Sequence, residues 1–163
     1  METTGCIRTS DPSLEIVVCE GEAAVMAHQE LFRLNSGCYR LTCGDILTSV
    51  LSAVEEDTTK LHIAAGWESL LRVALWTPKR PLLHDVLGLL KKTGISEQEL
   101  LPFQKADIAD LFPWLYYGKR FETLRKLVNR AKSRAEAAVD RKLLLVYCHL
   151  VSEDTGRIVA SSL

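Results

Sequence analysis

His28, His62, His84 and His149 are the chain's four imidazoles, and their spacing matches no metal-binding pattern. There is no H-x-x-x-H, no H-E-x-x-H and no Cys/His set of the kind that folds around zinc. The expectation from spacing is therefore no metal and no cofactor. Cys148 and His149 are adjacent. On a strand, neighbouring side chains point to opposite faces, so the two do not form a nucleophile–base pair. An enzyme built from scattered residues would draw first on Cys43 or His149. Asp85, Asp107 and Asp110 are expected to cap helices and face water. No glycine-rich phosphate loop, Walker sequence or G-x-S-x-G elbow is present. Gly44-Asp45 offers only a helix N-terminus to an anion. On these grounds the chain reads as a non-catalytic protein.

Two features point instead to partners. Between Lys119 and Lys142 there are nine basic and three acidic residues, a net +6 in a chain whose total is -1, so the rest carries -7. Lys119, Arg120, Arg125, Lys126, Arg130, Lys132 and Arg134 form a surface that could meet an anionic membrane, a nucleoprotein or an acidic protein. Six of the eleven aromatic residues fall between Phe103 and Phe121. Of these, Phe112, Trp114, Tyr116 and Tyr117 are the candidates for docking a protein partner, since aromatic side chains dominate interface hot spots. Packing in the core is their alternative use.

The elements that must position these residues read as follows. The composition, 47% hydrophobic and 25% charged over 163 residues, is that of one globular domain. No stretch is long and apolar enough to span a membrane, and no secretion signal is visible at Met1 to Pro12. Residues 1–12 read as a flexible arm, and 13–163 as one α+β domain with a lobe boundary at 77–81. Five cysteines, an odd number without C-x-x-C spacing, point to reduced thiols and a cytoplasmic setting. Leu14 to Cys19 predicts a strand. Leu31 to Thr42 predicts a hairpin, and Asp57 to Lys60 a loop. Asp45 and Ser96 predict helix N-caps. Helices follow over Trp67 to Trp76, from Leu82 onward, and from Phe121 to Ala138. Lys142 to Val151 predicts a strand that turns at Glu153 to Gly156 and returns over Arg157 to Ala160. The fold expected is α+β, with short antiparallel strands near both ends, pairing with each other, and a helical middle.

Tyr39-Arg40-Leu41, then Ile46 to Leu51, then the Trp67 to Trp76 helix, with Phe121 to Leu127 and the Leu143 to Val151 hairpin at the end, resembles small rhabdovirus matrix proteins in hydrophobic order. The resemblance covers about half the chain and brings no diagnostic motif. It implies a self-associating assembly protein that bridges nucleocapsid and membrane and is found in the virion. The other reading is a cytosolic adaptor or regulatory subunit that docks a partner through the aromatic corner. A third is an enzyme with no recognisable motif.

Overall fold

The computed structural model describes residues 14–42 and 44–162. Residues 1–12, read from sequence as an arm, and Cys43 lie outside that range. β1 (Leu14–Cys19) is a run of aliphatic and β-branched residues buried almost throughout, as a strand covered on both faces must be. A helix α1 (Glu22–Phe32) follows, then the short strand β2 (Tyr39–Leu41) and α2 (Ile46–Ala53). The eight-residue strand β3 (Thr58–Ala65) leads into α3 (Trp67–Leu75), α4 (Leu83–Lys92), α5 (Glu97–Leu100), α6 (Leu111–Tyr117) and the long α7 (Phe121–Val139). β4 (Leu145–Ser152) and β5 (Arg157–Ser161) close the chain.

The sheet order is β2-β1-β3-β4-β5. The first four strands are mutually parallel, and only β5 is antiparallel, on β4. The mixed α and β content in one domain is as expected. The antiparallel arrangement is corrected: terminal β1 does not meet β4, because β3 lies between them. The hairpin read over 31–42 is also corrected. Its first arm is the end of α1, and its second is a parallel edge strand. The Asp57 to Lys60 loop is also corrected: Asp57 ends a turn, and Thr58 to Lys60 already belong to the central strand. The β4–β5 hairpin, the α3 and α7 helices and both N-caps stand. Asp45 Oδ2 accepts from the Thr48 amide at 3.3 Å, and Ser96 Oγ from the Glu99 amide at 3.2 Å.

Crossover handedness decides which helix covers which face. From β1 the chain steps outward to β2, then back past β1 to β3 and on to β4. Right-handed parallel crossovers that run in opposite directions put their helices on opposite faces. Among the described helices, α1 is therefore alone on one side of the sheet. The other side carries the main core, where Ile16, Val18, Leu61, Ile63, Val146 and Leu150 meet Val50, Leu70, Leu90, Leu115, Leu127 and Val128. This core runs without a break across the segment 77–81. On the α1 side the cluster is smaller: Val17, Cys19, Ala64 and Val151 of the sheet against Ala24 and Ala27 of the helix.

Ala24, Ala27 and His28 are the buried residues of α1 and sit at i, i+3 and i+4, so one narrow stripe faces the sheet. Alanine lets the helix axis come close. A larger side chain there must push the helix outward. Ala27→Leu is expected to destabilise the fold by about 1–3 kcal/mol through overpacking. A lower urea midpoint at unchanged m-value would show it.

Candidate metal centre

Strand alternation delivers two imidazoles to the α1 face. On β3, Leu61, Ile63 and Ala65 belong to the main core, so His62 and Ala64 point the other way. On β4, Val146, Cys148 and Leu150 belong to the main core, so Tyr147, His149 and Val151 share the face of His62. The register places His62 between Val17 and Tyr147, and His149 beside Ala64 on the same sheet face. α1 then lowers His28 onto them from above.

The three rings meet nitrogen to nitrogen. His28 Nε2 lies 3.0 Å from His62 Nδ1, and His149 Nε2 lies 3.0 Å from the same atom. The three donor atoms all fall within 4.8 Å of one another. The side chains are out of reach of bulk water: His28 and His149 are 0% exposed and His62 3%. Each outer ring nitrogen has its own oxygen partner. His62 Nε2 is 3.0 Å from Glu15 Oε2 on β1, His28 Nδ1 is 2.7 Å from the Tyr39 hydroxyl on β2, and His149 Nδ1 is 2.8 Å from Ser161 Oγ on β5. All five strands and α1 thus contribute a group.

Proton placement follows from the partners. The Glu15 carboxylate can only accept, so His62 Nε2 carries a proton and its Nδ1 presents a lone pair inward. Tyr39 and Ser161 are hydroxyls and can accept from, or donate to, the rings they face. If they accept, all three inner nitrogens present lone pairs to one another. That arrangement is repulsive without a cation among them. If they donate, His28 and His149 both turn an N–H toward the single lone pair of His62 Nδ1, which then serves two donors.

Burial depresses the basicity of the cluster. The His28 and His149 pKa values are pushed down to about 3, first by desolvation and further by the neighbouring His62. His62 is also lowered by burial, against the opposing pull of the Glu15 hydrogen bond and charge. Burial raises the Tyr39 hydroxyl to about 12 and the Cys19 and Cys148 thiols to about 12, so neither thiol is an activated nucleophile. Cys38 is disulfide-bonded, which corrects the expectation of reduced thiols throughout.

This cluster of three histidines, which could hold a metal ion, corrects the dismissal of an enzyme and the reading as a non-catalytic assembly protein, the viral matrix role included. Sequence reasoning missed it because its members are 34 and 87 positions apart. The signal that was present is a histidine between apolar neighbours in two strands, Leu61-His62-Ile63 and Cys148-His149-Leu150.

The residues singled out for partners lie elsewhere. On and around α7, Arg120 pairs with Glu99 at 2.9 Å and lies over the Trp114 ring, and Arg125 pairs with Glu122 at 2.7 Å. Lys126 donates to the Thr93 carbonyl, Lys132 to that of Val146, and Arg134 to that of Leu75. Arg130 is half-buried, and Lys119 is exposed at a left-handed φ of 60°. Most of these cations therefore serve the fold itself. Among the aromatics, Phe112 is buried against Trp67 and Tyr116, Trp114 packs on Phe103, and Tyr117 is exposed. No described helix is long and apolar enough to cross a membrane.

The crevice at the carboxyl ends of the parallel strands, between β1 and β3, is where such sheets hold anions. Here Glu20 fills it. Its Oε1 accepts from the Gly66 amide at 2.9 Å and its Oε2 from the Ser69 hydroxyl at 2.5 Å, which caps α3.

No family model matches the chain, and no curated protein sequence does. Among solved structures it is similar to β-carbonic anhydrase isoform I of the protozoan Trichomonas vaginalis, at 15% identity over 88% of this chain and 79% of that one, with a TM-score of 0.39. A likeness of that degree carries no argument about what this chain does.

The depressed histidine pKa values set a pH dependence for the metal-free protein. They lie below the unfolded value of about 6.5, so the unfolded chain binds more protons between the two. The contribution to stability is complete above about pH 6.5 and is lost as pH falls toward about 3. Urea midpoints measured with a chelator across pH 7 to 4 are expected to fall steadily. The slope should shrink in His149→Gln. A profile identical in the two proteins would contradict the assignment.

Proposed function

We propose that the chain is a metalloprotein that holds one transition-metal ion on His28, His62 and His149, and that this centre is the seat of its chemistry. The observation that supports this is the convergence of three inner imidazole nitrogens whose outer nitrogens are all held by oxygen partners. Hydrogen-bond partners on the outer ring nitrogen fix the tautomer and aim of metal-ligating histidines. An all-imidazole set suits zinc, copper, iron or nickel, whereas magnesium and calcium favour oxygen ligands. Zinc with three protein ligands keeps a coordination position open, the composition of catalytic sites rather than structural ones. Tetrahedral zinc at about 2.0–2.1 Å from nitrogen sets its ligands about 3.4 Å apart. The two 3.0 Å pairs to His62 would open by a few tenths of an ångström, and the His28–His149 pair, within 4.8 Å, would adjust to the same spacing.

The ion would supply activation of a bound water near neutral pH, the basis of hydration and hydrolysis reactions. The residues supply the rest. Glu15 holds the His62 ring and keeps it basic toward the ion. Tyr39 and Ser161 fix the other two rings. Val17, Ala64 and Ala27 keep the surroundings apolar, which strengthens any charge interaction within.

A second reading rests on the Tyr39 and Ser161 hydroxyls, which can donate outward-in and leave a metal-free hydrogen-bonded lock between α1 and the sheet. Zinc titration by calorimetry, with metal content measured on the purified protein, separates the two. One ion per chain is expected, lost in His62→Ala. Glu15→Gln is expected to weaken binding about 10- to 100-fold while keeping the stoichiometry. No uptake by the wild-type chain would leave the metal-free lock.

A further inference from the structure

The Phe32 ring touches all three imidazoles. Its centroid lies 4.3 Å from that of His28, stacked at 21°, 5.3 Å from His62 and 5.1 Å from His149. It is the last residue of α1, one turn beyond His28, so the same helix brings both a ligand and a cover. Unlike the fully buried rings beneath it, Phe32 is half-buried. It therefore stands between the cluster and water. Tyr147 touches only His62, and Tyr39 only His28. The residue after Phe32, Arg33, adopts the left-handed conformation at φ 53°, where α1 ends and the chain turns away. The described residues offer three donor atoms in the cluster and no fourth.

Resting on the metal reading above, we infer that Phe32 is the gate of the centre: its ring shields the open coordination position and admits only small ligands. An apolar ring in contact with all three ligands leaves little room beside the ion. On this inference a slight tilt of the ring would admit water or a three-atom anion, and would not admit a five-membered heterocycle. The residue acts on access and selectivity, without contributing a ligand atom or moving a proton. The substrate class that this allows is a small, compact electrophile rather than a peptide or a sugar.

The test uses the cobalt-loaded protein, whose visible absorption reports ligands entering the metal's coordination sphere. Wild type, Phe32→Ala and Phe32→Leu are titrated with azide and with imidazole, and cobalt content is measured for each. Expected are one cobalt per chain in all three, azide binding at least tenfold tighter in Phe32→Ala than in wild type, and imidazole binding in Phe32→Ala alone. Phe32→Leu, which keeps bulk in the same place, is expected to follow wild type. Full cobalt loading with equal azide and imidazole affinities in the three proteins would overturn the gate and leave the metal centre standing. Failure of the wild-type chain to take up cobalt would overturn both.

Discussion

Three imidazoles buried side by side have six ring nitrogens that must each find a partner, because an unpartnered polar atom away from water costs free energy that a small domain cannot lightly give up. Outward, the answer is three oxygens from three different strands: Glu15 on β1, Tyr39 on β2 and Ser161 on β5. Inward, the rings have only one another or a shared cation. This constraint reaches most of the sheet. The edge strands β2 and β5 are short or half-exposed, yet each must keep its register to within one residue, since a slip would turn Tyr39 or Ser161 to the other face.

The topology explains why such a site sits on the α1 side. The main core is thick with leucine and valine from several helices, and an imidazole there would displace apolar packing on every side. The opposite face has a single helix resting on alanines. There the three rings and the phenyl group displace only a small apolar cluster. The right-handed crossovers that put α1 on that face, apart from the other described helices, thus also set where the polar cluster lies.

Local chemistry in the sequence was legible and long-range chemistry was not. Asp45 and Ser96 are read as caps because a cap acts within three residues. The helices α3 and α7 are read because their apolar stripes recur within a turn. β3 was lost because Thr58-Thr59-Lys60 begins it with turn-like polarity and His62 interrupts its apolar run; burial between β1 and β4 overrides that local preference. With β3 missing, nothing stood between β1 and β4, and nothing could place His62 beside His149. The basic stretch around α7 shows the same dependence on long-range partners. Its charge is real, but Arg134 and Lys132 reach backbone carbonyls that no count of charges reveals.

Glu20 has a consequence for what this sheet can recognise. It is a carboxylate tethered by its own backbone at the strand ends, so its effective concentration at the Gly66 amide far exceeds that of any dissolved anion. A phosphate group arriving there would have to evict a resident competitor and then sit beside it, charge against charge. At the Gly66 amide the chain thus supplies its own anion. The histidine cluster, by contrast, lies under cover on the face of the sheet, where the groups presented are ring nitrogens rather than backbone amides.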